Sequence, residues 1–423
     1  MVGIVGLGYV GLPLALTFVE KGFHVLGFDV DSAKIEALAR GASYIRHLDG
    51  NRLAAACATG LFGATADFGR LGEPDAILIC VPTPLTPQRE PDMSYVEETS
   101  RQIVRRLRPG QLVILESSTY PGTTDELVCG ILEGTGLKSG RDFFLAYSPE
   151  REDPGNPSFT TSTIPKVVGG VDATAGDLAQ ALYDHVITKT VRVSSARTAE
   201  ASKLVENIFR AVNIALVNEL KIVFDRMGID VWEVLDAAST KPFGFMRFDP
   251  GPGWGGHCIP LDPFYLSWKA REYGAAPRFI ELAGEVNLEM PAYVVEKIQV
   301  ALNDRGKPFK GSRILVLGLA YKKDIDDPRE SPAFEIIEHL LKLQAIVSYH
   351  DAYIEQAPRM RSWPDLPPMT SVPLTAAVLQ GADAVVVVTD HSSVDYEFVA
   401  KHASVVIDTR GVYRRPRANV VKA

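Results

Sequence analysis

The sequence predicts an α/β protein in which two doubly wound domains are joined by a central helical segment containing one long helix. Three observations predict it. Over the first 195 or so residues short apolar runs alternate with amphipathic stretches, the pattern of parallel strands buried between covering helices. From Thr198 to Met227 the chain contains neither Gly nor Pro, and Gly228 supplies a natural stop. A second alternation of strand and helix patterns begins near Gly311.

In the first region Gly3–Val5, His24–Phe28, Ala76–Val81, Gln111–Leu115 and Asp142–Tyr147 read as buried parallel strands. The uninterrupted helix that follows would extend about 45 Å at 1.5 Å per residue, long enough to cross between domains, and its apolar faces could bury a subunit contact. More helical sequence follows, broken by a loop from Lys241 to Pro263. In the last region Ser312–Gly318, Ala345–Tyr349, Ala384–Thr389 and Val405–Asp408 read as further buried strands, and Pro358–Pro373 as a Pro-rich surface loop. The expected division is residues 1–195, 196–305 and 306–423.

Composition narrows the function classes. The 423 residues are 46% hydrophobic and 23% charged, ordinary for a globular protein. A formal net charge of −8 argues against nucleic acid or an anionic membrane as partner. No apolar run is long enough to span a bilayer, and no basic stretch with an apolar core marks a secretory signal. The four cysteines, Cys57, Cys80, Cys129 and Cys258, form no Cys-x-x-Cys pair and no zinc spacing with His, so no metal site is expected and a reducing cytoplasm fits best. Cys80, within an apolar run, reads as a buried strand residue.

The first chemistry-bearing motif is Gly6-Leu-Gly8-Tyr9-Val10-Gly11, between an expected strand and an expected helix. Gly6 permits the tight turn, Gly8 lets the backbone approach a pyrophosphate, and Gly11 allows close packing of helix on strand. The helix N-terminus then offers unpaired N–H groups to the phosphates. Asp29 ends the second strand, where a ribose-binding acid belongs, and its charge favours NAD over a cofactor with a 2′-phosphate. Together these residues describe a Rossmann-like dinucleotide site. The ends of later strands, at Thr83 and Thr119, should line the same crevice.

The second motif is Pro250-Gly-Pro-Gly-Trp-Gly-Gly256-His257-Cys258-Ile-Pro-Leu-Asp262. Its glycines suit a loop that wraps a ligand with its backbone. Cys258 becomes a nucleophile if its thiolate is stabilised, for which Asp262 has the wrong sign and a cation is needed. Lys203 and Asn207, four apart on the long helix, share a face and could stabilise an oxyanion. On spacing alone, a solvated surface lysine is the commoner reading of Lys203. His257 reads as a loop hydrogen-bonding residue rather than a catalytic base, since adjacent residues seldom point at one another.

Gly6-x-Gly8-Tyr-Val-Gly11, Glu116-Ser-Ser-Thr119, Ser148-Pro-Glu150, Glu200-Ala-Ser-Lys203-x-x-x-Asn207, Gly255-Gly256-x-Cys258-x-Pro-x-Asp262 and Lys322-Lys-Asp324 to Arg329-Glu-Ser331 occur in that order. Together they resemble the UDP-glucose/GDP-mannose dehydrogenase family along almost the whole chain. The resemblance implies oxidation of a sugar nucleotide's C6 alcohol to a carboxylate in two hydride transfers to NAD. Asp262 would deprotonate the alcohol through a water that Thr119 helps to hold. Cys258 would capture the aldehyde as a thiohemiacetal and carry the thioester, with Glu150 as base for the acyl steps and Lys203 and Asn207 stabilising oxyanions. It also implies cofactor contacts from Gly6, Gly8, Tyr9, Val10, Gly11, Asp29, Lys34, Thr83, Thr119 and Arg329. Contacts to the UDP-sugar would come from Arg151, Lys203, Asn207, Gly255, Lys322 and Arg410, and the central helices would form a homodimer.

Within the family the sequence around Ser118–Thr124, Ser148–Asn156 and Gly251–Pro260 is most similar to the branch acting on UDP-N-acetylglucosamine in bacterial surface-polysaccharide synthesis. UDP-N-acetylmannosamine is the nearest alternative and UDP-glucose a weaker one. Met246-Arg247-Phe248-Asp249 departs from the expected apolar stretch before the glycine loop, and Arg247 could reach a phosphate. Two rival readings are a two-electron Rossmann dehydrogenase with a catalytic lysine, and a non-catalytic nucleotide-sugar-binding regulator.

Overall fold

The computed structural model describes residues 1–45, 48–86, 88–151, 160–256 and 259–423. His257, Cys258 and the acidic stretch after Arg151 lie outside the described residues. The chain forms two compact units, one of Met1–Glu206 with Phe264–Ala276, the other of Asn207–Pro263 with Pro277–Ala423.

The first unit is built on an eight-stranded sheet among the described residues. Its strands are β1 (Val2–Val5), β2 (Val25–Phe28), β3 (Phe62–Thr65), β4 (Ala76–Ile79), β5 (Leu112–Leu115), β6 (Phe144–Tyr147), β7 (Lys166–Gly170) and β8 (Thr190–Arg192). They lie in the order β3-β2-β1-β4-β5-β6-β7-β8. All neighbours are parallel except β6 and β7. The order reverses between β1 and β4, so the crevice for a ligand opens beyond their carboxyl ends. Central strands are buried throughout, as their unbroken apolar runs required. Ile4, Leu78 and Ile114 meet Leu12, Leu16 and Phe18 of the Gly11–Glu20 helix in one core cluster.

In the second unit β9 (Arg313–Leu317), β10 (Ile346–His350), β11 (Ala384–Val387), β12 (Val406–Asp408) and β13 (Val420–Lys422) form an all-parallel sheet in the order β10-β9-β11-β12-β13. Ile314, Val316 and Val386 pack there against Ile336, Ile337 and Leu340 of the Pro332–Lys342 helix and against Val294 and Ile298 of the Arg278–Asn303 helix.

The long helix forms as Ala196–Arg226, 31 residues, and Gly228 turns the chain at φ +71°. Four strands, β3, β7, β8 and β13, were not singled out by the apolar-run pattern. The residues of β3 and β13 are only half-buried, β8 is three residues of Thr-Val-Arg, and β7 ends in two glycines. The Pro-rich stretch is a loop, closed by a bridge between Gln356 and Thr370. It is not wholly a surface feature, because Trp363 stacks on Phe334 with ring centroids 5.6 Å apart and Met360, Leu366 and Met369 also pack on the core. Among the described residues no helix is long and apolar enough to cross a membrane.

Candidate active site

The three glycines of the first motif have separable physical reasons. Gly6 sits at φ +93°, and a Cβ there would lie 2.5 Å from the Cys80 carbonyl oxygen. A Cβ on Gly11 would lie 1.9 Å from the Gly6 carbonyl oxygen, so the helix starts where only glycine fits. A Cβ on Gly8 would meet nothing within 4 Å, which leaves its backbone open to a ligand. Tyr9 is 40% exposed beside it, and Val10 precedes the first helical residue.

Asp29 is buried at the end of β2 and closes the glycine turn, accepting from the N–H groups of Leu7 at 2.9 Å and Asp31 at 3.0 Å. Lys34 donates to the same carboxylate at 3.0 Å, and the Tyr44 hydroxyl donates to the Leu7 carbonyl. Lys34, expected beside the ribose, therefore sits as counter-ion to Asp29, the acid expected to bind that ribose. Glycine turn, open Gly8 and buried acid together fit a dinucleotide.

Beyond β4 and β5 lie Thr83 and Thr119. The Thr83 carbonyl accepts the hydroxyl of Tyr265, a fully buried residue of the Asp262–Glu272 helix. Thr119 is 1% exposed, and its Oγ1 has no hydrogen-bond partner among the described residues. An unpaired buried hydroxyl costs about 1–3 kcal/mol, so this one is suited to take a further hydrogen bond. Just before it, Glu116 is paired with Lys166 at 2.7 Å, both buried, and accepts the Tyr183 hydroxyl. Burial pushes the Glu116 carboxyl up despite Lys166. Burial alone would lower the Lys166 ammonium, but Glu116 and Glu150 outweigh it and hold it above the ordinary value.

Lys203 is not a solvated lysine. It is 8% exposed, and its ammonium donates to the Glu150 main-chain carbonyl at 2.6 Å. The Glu150 carboxylate accepts from the Arg151 N–H at 2.7 Å and lies 3.8 Å from Lys166. One turn before Lys203, Glu200 is fully buried and accepts from the N–H groups of Gly122 at 2.7 Å and Thr124 at 2.9 Å and from the Thr124 hydroxyl at 2.6 Å. This bolts the helix to the turn that follows Thr119. Burial pushes the Glu200 carboxyl up to about 7 against those donors. Glu200 belonged to a quoted motif, but spacing gave it no role. Arg151, expected at the sugar, has its guanidinium on Glu206 at 2.7 Å and on the Pro165 carbonyl.

In the second unit Asn207 donates its amide to the carboxylate of Asp262, and both are buried. Asn207 thus orients the expected base, a link that spacing along the helix did not suggest. The glycine loop packs on its own unit. A Cβ on Gly251 would lie 2.6 Å from the Arg410 guanidinium, and one on Gly255 would lie 2.6 Å from Tyr321 and 3.0 Å from the Glu330 carbonyl. Gly253, at φ +131°, lies over the Asn287 carbonyl and Pro291. Gly256 donates to the Arg329 carbonyl at 3.0 Å.

The loop is thus brought against Tyr321, which precedes Lys322, and against Arg410. Arg410 donates to the Val388 carbonyl at 2.7 Å, and burial lowers its pKa. Arg329, expected near the cofactor, clamps Asp327 through two nitrogens at 2.9 and 2.6 Å. Arg247, expected within reach of a phosphate, pairs instead with Asp249 at 2.8 Å and Asp236 at 2.7 Å. Burial raises the thiols of Cys57, Cys80 and Cys129, so none of these three is activated.

The NAD binding domain of the UDP-glucose/GDP-mannose dehydrogenase family matches residues 1–187, its central domain residues 197–289 and its UDP binding domain residues 315–415. The chain belongs to this family. It is 38% identical over 364 residues, 86% of this chain and 85% of the relative, to UDP-N-acetyl-D-glucosamine 6-dehydrogenase of Pseudomonas aeruginosa. It is similar to the UDP-D-ManNAc dehydrogenase structure from Pyrococcus horikoshii, with TM-score 0.90 and 34% identity over 100% of this chain and 98% of that one. A UDP-glucose dehydrogenase structure from Pyrobaculum islandicum gives TM-score 0.84 and 29% identity over 98% and 94%. As a member of this family the chain is an NAD-dependent nucleotide-sugar dehydrogenase.

Two outcomes follow from the geometry. Gly8→Ala should leave the melting temperature within about 2 °C of wild type and weaken NADH binding roughly tenfold, whereas Gly11→Ala should lower the melting temperature itself. Melting curves with and without NADH separate the two. For Glu200, a folded pKa of about 7 against an unfolded value near 4.5 means its stabilising contribution is fully present below 4.5 and is lost as pH rises through 7. Relative to Glu200→Gln, wild type should lose on the order of 3 kcal/mol between those pH values and nothing more above them. Denaturant titrations at several pH values measure it, and a gap that does not change with pH would refute it.

Proposed function

We propose that this enzyme oxidises the C6 alcohol of a UDP-sugar, with UDP-N-acetylglucosamine favoured, to the uronic acid, using Cys258 as a covalent catalyst. The observation that carries this reading is Lys203, buried and fixed on the main chain of Glu150. A lysine spent on a surface would not be desolvated in this way, and a cation held so is suited to developing oxyanions. The reaction needs a hydride acceptor twice, which is the chemistry NAD⁺ supplies when bound. Gly6, Gly8, Gly11 and Asp29 would hold it, with Tyr9, Val10, Lys34, Thr83, Thr119 and Arg329 as further contacts carried by the family resemblance.

The chain's own groups divide the remaining work. Asp262, oriented by Asn207, takes the alcohol proton through a water for which the Thr119 hydroxyl is suited. Cys258, assigned on its motif because it lies outside the described residues, adds its sulfur to the aldehyde carbonyl and forms a thiohemiacetal. Loss of the second hydride from carbon and of the hydroxyl proton, which passes to solvent through Glu150, turns this into a thioester. Water then cleaves the carbon–sulfur bond, with Glu150 receiving its proton, and thiol and carboxylate are released. Arg151, Gly255, Lys322 and Arg410 are the proposed sugar-nucleotide contacts.

UDP-N-acetylmannosamine is the second reading, favoured by the likeness to the Pyrococcus horikoshii structure. A reducing cytoplasm suits the thiol, and the uronic acid product suits surface-polysaccharide synthesis. We also assign a homodimer to the long helix. Phe209, Leu216 and Val223 repeat every seven residues along it and are 48, 51 and 44% exposed, an apolar stripe that asks for a partner.

NADH yield measured with UDP-N-acetylglucosamine, UDP-N-acetylmannosamine and UDP-glucose tests reaction and substrate together. Two NADH per sugar are expected from the preferred substrate, and one would sink the covalent route. Cys258→Ser should abolish uronate formation while UDP-sugar affinity stays within about threefold. Leu216→Glu should convert the dimer to monomer in light scattering; a wild type already monomeric removes the dimer assignment.

A further inference from the structure

Lys221 is a buried cation that the chemistry above does not use. It lies on the long helix and is 3% exposed. Its ammonium donates to the Gly251 carbonyl at 3.0 Å and lies 5.3 Å from the Tyr293 ring centre. Among the described residues no carboxylate pairs with it. The nearest acids are committed elsewhere. Asp225 is held by Lys297 at 2.5 Å and Tyr293 at 3.2 Å. Asp408 takes Lys422 at 3.1 Å and the N–H groups of Arg410, Val412 and Tyr413.

Gly251, the first glycine of the loop, is gripped from three sides. Its carbonyl takes Lys221. Its N–H donates to Asn218 at 2.9 Å, and Asn218 in turn donates to Asn287 at 2.9 Å. Asn287 is fixed by the carbonyls of Ala211 at 3.1 Å and Ala283 at 3.0 Å. The third side is the Arg410 guanidinium, 2.6 Å from where a Cβ would be. Two basic side chains therefore face one glycine, and only one of them, Arg410, is expected to meet the substrate.

We propose that Lys221 is a positioning residue that couples an anion at Arg410 to the set of the glycine loop, gaining a proton as a nucleoside diphosphate binds and tightening its hold on the Gly251 carbonyl. The idea rests on the sugar-nucleotide reading above and adds a device to it. Burial, then Arg410 and Lys297, depress the Lys221 ammonium to about 7 against the pull of Asp225 and Asp408. This brings its titration toward neutral pH. An anion beside Arg410 offsets the positive field and favours the charged form. A charged donor makes a hydrogen bond roughly twice as strong as a neutral one, so the loop is held hardest when substrate is present.

The test uses the full-length protein and UDP as probe. Calorimetry in buffers of different ionisation enthalpy reads the protons taken up on binding at about pH 7.5, and UDP's own titration is common to every variant. Wild type should take up about half a proton more than Lys221→Met or Lys221→Arg, because neither replacement titrates there. In Lys221→Met the KM for the UDP-sugar should rise about tenfold with the KM for NAD within twofold. Lys221→Arg, which keeps a charged donor, should restore most of that KM. Equal proton uptake in wild type and either variant overturns the proposal alone. A wild type that binds no UDP overturns the functional reading on which it stands.

Discussion

The carboxylate of Glu200, buried where the long helix passes the turn after β5, is the constraint that positions that helix in the first unit. A lone carboxylate in that position would be costly, and three donors from Gly122 and Thr124 offset the cost only in part. Its raised pKa records the balance, with burial ahead of hydrogen bonding. In return the helix cannot slide or rotate relative to the turn that carries Thr119. Lys203, on the next turn of the same helix, is thereby delivered to the Glu150 carbonyl. Position, not titration, is the product of this arrangement.

The two nucleotide-type sheets use the same topological device to different ends. Each places an acid after its second strand in chain order, and each acid closes a turn that begins with a left-handed glycine, Gly6 or Gly318. Asp29 takes two backbone N–H groups and Lys34. Asp351 takes the N–H groups of Leu319, Ala320, Tyr353 and Ile354 and also the ring of His391. With five donors on a buried carboxylate, Asp351 has no capacity left for a ribose. In the second sheet the acid in this position is thus occupied by the protein's own hydrogen bonds.

Much of this was legible in the sequence. Strands buried on both faces announced themselves as apolar runs, and the long helix by its lack of glycine and proline. Strands half-exposed at the margins, such as β3 and β13, left no such run to see. The glycine motif with Asp29 could be read because its parts are local. Lys203 could not be judged from residues alone, since its burial depends on Glu150, 53 residues away. The Asn207–Asp262 bond spans 55 residues and the Lys221–Gly251 bond 30, and no periodicity encodes either. Only the ordered set of motifs carried the roles proposed for the lysine and the cysteine, because it summarises tertiary facts that spacing leaves out.

The composition of the glycine loop has a physical reason inside the protein. Gly251, Gly253, Gly255 and Gly256 are each crowded by the protein itself. Pro291 contributes, because a proline four residues after Asn287 has no N–H for that carbonyl, and Gly253 seats at this notch. The charges that precede the loop are likewise held within the protein: Arg247 pairs with both Asp249 and Asp236. A loop so crowded holds its course by packing. The chain needs glycine there so that Tyr321, Arg410 and Lys221 can all reach the backbone, which makes the loop a part positioned by its neighbours before any ligand is involved.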